Sequence, residues 1–183
     1  MTKTILAFVG QIASGKGTAV QYLKEKHGAS TYRFSGMLAD ILNRLYLENN
    51  RANFQTLSQI LRENFSEDVL SQTMAKDVEK DKIQLIAIDG VRRPGDIEHL
   101  KKIPGFILIH IFADLEKRYQ RITQRREKTD DREKTLAEFK ADHEREAEVK
   151  IAEIANEATQ KIDNNGSLED LYKQLDEIIK LYV

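Results

Sequence analysis

Two glycines and a lysine near the start of the chain have the spacing of a loop that binds phosphate. Gly10, Gly15 and Lys16 fit G-x-x-x-x-G-K between an apolar run over 5–9 and a helical pattern. Glycine lets the backbone approach a phosphate, and the amides that begin a helix attract an anion. The residues expected to surround the nucleotide phosphates are Gly10, Ala13, Ser14, Gly15, Lys16, Gly17 and Thr18.

The residue after the lysine departs from this pattern. Gly17 stands where a serine or threonine hydroxyl usually contacts magnesium, and Thr18 follows it. Direct ligation of the metal from position 17 is therefore not expected, and a contribution from Thr18 stays open.

A carboxylate and two arginines follow the third predicted strand. Asp89 ends the apolar run over 84–88, where a Walker-B acid would hold magnesium or its waters, although an aspartate here could also simply begin a turn with Gly90. Arg92 and Arg93 come next, and a guanidinium matches phosphate with paired hydrogen bonds. Either arginine could hold the phosphate of an acceptor.

Further arginines lie on two predicted helices. Arg62 lies in a helical stretch between the second and third strands, and Arg121 and Arg125 share one helix face just before Arg126. Arg121 and Arg125 are expected to contact the donor, and Arg126 to stabilise the transition state from a short lid over about 125–134. The alternative for each is a solvated surface charge.

The elements that position these residues alternate between strand and helix. This alternation predicts an α/β P-loop fold with a parallel five-stranded sheet, whose ligands lie at the carboxyl ends of the strands. The chain is expected to form a single domain over 1–183, with a core over 1–34 and 83–183 and a helical acceptor-binding insert over about 35–82. Ser66 is expected to cap a helix of that insert, and one long helix is expected over about 135–159.

Composition restricts the partners and the location. The 183 residues carry 29 basic and 30 acidic side chains, a net charge of −1, which gives no electrostatic case for nucleic acid or a membrane surface. There is no cysteine, and the four histidines lack metal-ligand spacing. The first residues lead directly into a predicted strand, so no secretion signal is expected. A cytoplasmic monomer or homodimer that acts on small molecules is expected.

The sequence resembles the P-loop nucleoside monophosphate kinase-like family. The G-K-G-T at 15–18 has the form found in adenylate kinases, and D-G-V-R-R at 89–93 resembles their D-G-F-P-R, which matches Arg93, and the D-G-I-R of archaeal relatives, which matches Arg92. The F-S-G-M-L at 34–38 resembles S-T-G-D-M-L, which implies that Ser35 and Gly36 line the acceptor site. Ala39 replaces the arginine that commonly follows.

A second resemblance lies near the end of the chain. The I-D-N-N-G-S at 162–167 is similar to the D-N-x-G-S turn of dephospho-coenzyme A kinases, which implies that Asn165 lies against the donor base. A similar L-R in such proteins implies that Arg62 faces the acceptor. Together these resemblances imply transfer of the γ-phosphate of ATP, with Mg²⁺, to a nucleoside or deoxynucleoside monophosphate. The alternatives are dephospho-coenzyme A kinase and an ATP-binding regulatory module with weak hydrolysis.

Overall fold

The computed structural model describes residues 3–124, 135–143 and 146–183. Five parallel strands form one sheet in the order β2-β3-β1-β4-β5. The strands are β1 (Thr4–Val9), β2 (Ser30–Arg33), β3 (Leu85–Asp89), β4 (Phe106–Phe112) and β5 (Gln160–Asp163). The predicted fold class, an α/β P-loop fold with a five-stranded parallel sheet, is confirmed.

Helices connect the strands and cover both faces of the sheet. They are α1 (Lys16–His27), α2 (Phe34–Arg44), α3 (Arg51–Asn64), α4 (Val69–Lys80), α5 (Pro94–Ile97), α6 (Leu115–Gln124), α7 (Leu136–His143), α8 (Glu146–Ala155) and α9 (Leu168–Tyr182), with a 3₁₀ turn at Leu100–Lys102. Three of them, α2, α3 and α4, lie between β2 and β3, as the apolar pattern of that stretch indicates. The boundary of an acceptor-binding insert within this stretch stays a prediction.

The core lies on the two faces of the sheet. Every residue of β3 is buried, as are five of the six residues of β1, because helices cover a parallel sheet on both sides. On one face α1 and α9 pack against alternate side chains such as Leu6 and Phe8. On the other face α2, α4 and α8 pack against Ile5 and Ala7.

The register brings the carboxyl ends of the strands to one edge of the sheet. Arg33 at the end of β2 pairs with Asp89 at the end of β3. Val9 at the end of β1 pairs with His110 of β4, two residues before that strand ends. The loop between β1 and α1 (residues 10–15, the phosphate-type loop), the loop that follows Asp89 and the turn after β5 therefore start from neighbouring positions.

Three predicted boundaries differ from the structure. The helix expected over 135–159 is helical in both of its described parts, α7 and α8, and it ends earlier because the Thr159 N–H donates to the Leu108 carbonyl of β4 as the chain enters β5. The N-cap of α4 is Asp68, not Ser66, because a turn in which the Val69 N–H donates to the Ser66 carbonyl precedes the helix. The sequence pattern predicts a strand over 31–34, but Phe34 begins α2 and is buried in the core.

Candidate functional site

The loop between β1 and α1 has the close contacts that require glycine. A Cβ at position 10 would lie 2.2 Å from the carbonyl oxygen of Ile111, and one at position 15 would lie 2.1 Å from Nδ2 of Asn164. Gly15 also has a φ of 109°, in the left-handed region that side chains disfavour. The two glycines of the motif are therefore fixed by the neighbouring strand and turn.

Lys16 begins α1 and curls back over this loop. Its Nζ donates to the carbonyl oxygens of Gly10 at 2.6 Å and Gln11 at 2.9 Å, and its side chain is half-buried. The first turn of α1 has no acidic residue and its N-cap, Gly15, has no side-chain hydrogen bond. The amides at this helix end and the ammonium group are therefore arranged to attract an anion.

Two buried donors beside the loop have no hydrogen-bond partner among the described residues. They are Oγ of Ser14, a fully buried residue, and Nη1 of Arg121 on α6. Burial lowers the pKa of the Arg121 guanidinium, and its Nη2 donates to the carbonyl oxygen of Asn164 at 2.8 Å. An unpaired buried donor costs roughly 1–3 kcal/mol, so a bound anion that accepted from these groups would be favoured.

Asn164 is a site residue that the sequence reasoning missed. It is buried, and its Nδ2 donates to the Ser14 carbonyl at 2.8 Å, which ties the turn after β5 to the phosphate-type loop. Asn165, the residue selected from the sequence, accepts from the Asp114 N–H through Oδ1 at 2.8 Å and joins the turn to the loop after β4. Its contact with a donor base stays a prediction. Burial is what separates the two neighbouring asparagines, and no local pattern shows it.

The arginines of α6 divide into structural and open roles. Arg118 is buried; its Nε donates to the Ala113 carbonyl at 2.9 Å and its Nη1 to the Ile12 carbonyl at 3.4 Å. It therefore joins the start of α6 to the phosphate-type loop. Arg125 and Arg126, with the lid expected over 125–134, lie outside the described residues.

Asp89 ends β3 at the edge of the sheet and is paired with an arginine that the sequence reasoning did not select. Arg33 donates to Oδ2 of Asp89 through Nη2 at 2.7 Å and through Nε at 3.1 Å. The Asp89 side chain is 10% exposed and the Arg33 side chain is 60% exposed. Arg33 directly precedes the F-S-G-M-L stretch that was read as an acceptor motif, and only the sheet order shows that it reaches Asp89.

The loop after Asp89 is fixed by a buried carboxylate. Oδ2 of Asp96 accepts from the backbone N–H of Arg92 at 2.9 Å and of Arg93 at 3.0 Å, and its Oδ1 accepts from Nη2 of Arg62 at 2.9 Å. The Arg93 side chain lies 3.5 Å from Glu67. The Arg92 side chain is exposed and has no hydrogen bond or ion pair to the described residues.

Arg62 is therefore not the solvated surface charge that is the alternative to an acceptor contact. It is buried, and its guanidinium also donates to the Glu67 carbonyl. The structure brings it to the loop of Arg92 and Arg93 through Asp96, which makes it a positioning residue for that loop. A direct contact with an acceptor stays a prediction.

Ser35 and Gly36 lie in the first turn of α2, directly after Arg33. Ser35 is half-buried and Gly36 is exposed, with no heavy atom within 4 Å of a Cβ placed there. Both residues are therefore at the same sheet edge as Asp89.

The residues present fit a magnesium ion that arrives with a nucleotide. Such an ion is held by one or two carboxylates together with phosphate oxygens, and Asp89 is the carboxylate at this edge. In the described part of the chain no group of three histidine, aspartate or glutamate side chains could hold a metal by itself. Thr18, whose role stays open, is half-buried in the first turn of α1. Within the described ranges no helix is long and apolar enough to cross a membrane.

A family model described as AAA domain matches residues 9–140. A UPF0200 protein of Methanosarcina barkeri is 29% identical over 181 residues, covering 98% of this chain and 96% of the relative, and one of Methanosarcina mazei is 28% identical over 98% of this chain and 95% of that relative.

Solved structures share the fold at low identity. TT1252 from Thermus thermophilus aligns with a TM-score of 0.66 and 18% identity over 100% of both chains. Shikimate kinase from Bacteroides thetaiotaomicron aligns with a TM-score of 0.65 and 11% identity over 97% of both chains. These similarities show a P-loop kinase-like fold.

Proposed function

We propose a function from the premise that this chain belongs to the AAA domain family and has a P-loop kinase-like fold: it transfers the γ-phosphate of ATP to a small nucleotide acceptor. The acceptor class that we favour is a nucleoside or deoxynucleoside monophosphate. The expectation of a cytoplasmic monomer or homodimer that acts on small molecules belongs to the same proposal.

The observation that carries this proposal is the unfilled donor set around the phosphate-type loop. Ser14 Oγ and Arg121 Nη1 are buried beside a helix N-terminus without a partner among the described residues, and the Lys16 ammonium lies over the same loop, where it donates to the Gly10 and Gln11 carbonyls. A chain of phosphates would supply acceptors to all of these groups at once. A glycine-rich turn without a ligand gives no reason for burying them.

The residues would share the work of transfer as follows. Lys16 moves its ammonium from the loop carbonyls to the phosphates, and the loop amides hold the donor. Magnesium bound with the nucleotide would offset the charge of the phosphates. Asp89 would support that metal and accept the proton of the acceptor. Because phosphoryl transfer needs little covalent chemistry from the protein, positioning and charge stabilisation carry the rate.

The acceptor side is formed by the loop after β3. Arg92 is exposed without a partner among the described residues, so it is the better candidate of the two arginines for an acceptor phosphate, whereas Arg93 lies near Glu67. Ser35 and Gly36 lie at the same edge on α2. The motif alone leaves the choice between Arg92 and Arg93 open, and the side-chain contacts are the basis for favouring Arg92.

A coupled assay of ADP formation over a panel of acceptors tests the proposal. The panel contains the nucleoside and deoxynucleoside monophosphates, dephospho-coenzyme A, and shikimate, because shikimate kinases share the fold. We expect turnover with one monophosphate above the rate of ATP hydrolysis. Turnover only with dephospho-coenzyme A or shikimate would reassign the acceptor, and hydrolysis unchanged by every acceptor would favour the regulatory module.

Lys16→Ala provides the internal control for this assay. We expect it to reduce transfer at least about 100-fold while the variant keeps a cooperative thermal transition, because Lys16 acts on charge at the phosphates. Lys24→Ala, an exposed lysine on the same helix, should leave transfer unchanged. Near wild-type turnover of Lys16→Ala would contradict the assignment of the phosphate loop.

A further inference from the structure

Arg33 stands at the point where the phosphate-type loop, the Asp89 carboxylate and the start of α2 meet. It is the last residue of β2 and pairs in register with Asp89, the last residue of β3. Residues that pair in register on adjacent parallel strands direct their side chains to the same face of the sheet. The ion pair of Arg33 with Asp89 is therefore fixed by the sheet itself.

Asp89 holds only one edge of the Arg33 guanidinium. Both hydrogen bonds, from Nε at 3.1 Å and from Nη2 at 2.7 Å, end on the same oxygen, Oδ2. The guanidinium has further N–H groups on Nη1 and Nη2. No described residue accepts from them, and the Arg33 side chain is 60% exposed. The carboxylate thus orients the arginine and leaves donors directed elsewhere.

Gly17 is the residue of α1 beside which this guanidinium lies. A Cβ at position 17 would lie 3.6 Å from Nη2 of Arg33. That distance is an ordinary van der Waals contact, so the guanidinium lies directly beside residue 17. The departure from the usual G-K-[ST] pattern is therefore matched in the structure by a cation beside the first turn of α1.

We propose that Arg33 is a further substrate-contacting residue, positioned by Asp89, that binds the γ-phosphate of the donor nucleotide from the side of Gly17. This inference rests on the proposed function. A phosphate bound to the amides of α1 would lie next to the guanidinium. Lys16 would reach oxygens of the β- and γ-phosphates of the nucleotide from within the loop. Arg33 would add a planar donor pair at a position from which residue 17 offers none.

Equilibrium binding of ATP and of ADP, each with Mg²⁺ and with EDTA, tests the proposal. The variants are Arg33→Gln, Arg33→Lys and the matched control Arg44→Gln, an exposed arginine in the last turn of α2. We expect Arg33→Gln to weaken ATP binding about 10- to 100-fold in both conditions, and ADP binding less than about 3-fold. Arg33→Lys, which keeps the charge and loses the fork, should show a smaller loss for ATP. Arg44→Gln should bind like the wild type.

Several results would overturn the inference. Unchanged ATP affinity in Arg33→Gln would show that the guanidinium only neutralises Asp89, and tighter ATP binding with Mg²⁺ would show that it competes with the metal. An equal loss for ATP and ADP would place the contact on another phosphate. If Arg33→Gln loses its thermal transition, the ATP-to-ADP difference in Arg33→Lys decides the question. A wild-type chain that binds no ATP overturns the proposed function as well, whereas wild-type binding with unchanged Arg33 variants overturns this inference alone.

Discussion

At the scale of single residues, Gly15 is a position where both the backbone conformation and a neighbouring side chain require glycine. It combines a φ of 109° with a Cβ position 2.1 Å from Nδ2 of Asn164, the side chain that holds the Ser14 carbonyl. Gly28, the C-cap of α1, has a φ of 67° but no heavy atom within 4 Å of its Cβ position. A side chain at either position would strain the backbone, but only a side chain at position 15 would also collide with a neighbouring residue.

We expect Gly15→Ala to lower the melting temperature more than Gly28→Ala, and to abolish the stabilisation by ATP and Mg²⁺ that Gly28→Ala retains. A left-handed φ costs an alanine about 1–2 kcal/mol at either position, and only at position 15 must Asn164 also move away from the loop. Thermal denaturation with and without nucleotide measures both effects. A nucleotide-induced shift in Gly15→Ala as large as that of the wild type would contradict this account of the loop.

At the scale of elements, the Arg62–Asp96 pair joins α3 to the loop after β3. Both side chains are less than one-tenth exposed, and their nearest atoms are 2.9 Å apart. Removing one partner of such a pair leaves a buried charge without compensation, which costs roughly 3–5 kcal/mol. This buried ion pair therefore attaches α3 to the candidate acceptor loop, and removal of one partner is expected to destabilise the fold.

We expect Arg62→Ala to lower the free energy of unfolding by about 3 kcal/mol and to raise the acceptor KM by releasing Arg92 and Arg93. Arg51→Ala, an exposed arginine that begins the same helix, is the matched control and should change neither. Urea denaturation and steady-state kinetics provide the two measurements. A surface substitution ordinarily changes the free energy of unfolding by less than about 0.5 kcal/mol. A change of that size in Arg62→Ala, together with altered kinetics, would instead favour direct contact of Arg62 with the acceptor.

At the scale of the whole molecule, the first and last helices are joined by a carboxylate that responds to pH. Asp176 of α9 accepts from Lys26, Tyr22 and His27 of α1. The hydrogen bond from Lys26, with smaller contributions from His27 and Tyr22, lowers the pKa of Asp176 to about 2. Because the folded pKa lies below that of the unfolded chain, about 3.9, this group stabilises the fold above pH 4 and loses that contribution as the pH falls towards 2.

We therefore expect Asp176→Asn to lower the melting temperature at pH 7, and this difference from the wild type to shrink between pH 4 and pH 2. Glu177→Gln, an exposed neighbour on the same helix, should show no such dependence. Melting temperatures at matched ionic strength over this range test the sign. A difference that persists unchanged at pH 2 would show that Asp176 acts through packing.

The lid predicted from the sequence over 125–134 lies outside the described residues, and its role in the transfer step stays a prediction. We expect Arg126→Ala to lower kcat about 10²- to 10³-fold with little change in KM, because a contact made as charge redistributes stabilises only the transition state. Arg92→Ala should mainly raise the acceptor KM. A change in KM alone for Arg126→Ala would reassign it to substrate binding.

What the sequence could predict depended on how local each signal is. The glycine spacing at 10–16, the apolar run before Asp89 and the alternation of strands and helices are local, so they gave the phosphate-type loop and the α/β class correctly. The pair of Arg33 with Asp89 joins residues 56 positions apart and requires that β2 lie beside β3. The burial of Arg62 and of Asn164 depends in the same way on packing between distant elements.

The two oxygens of Asp96 have a consequence for motion. One accepts from Arg62 of α3 and the other from the backbone of Arg92 and Arg93, so a single buried carboxylate spans two segments. If α3 swings towards a bound acceptor, it either breaks a pair that is shielded from water or takes the arginine loop with it. Closure around the acceptor would then be concerted, with α3, Arg92 and Arg93 moving together as one rigid body.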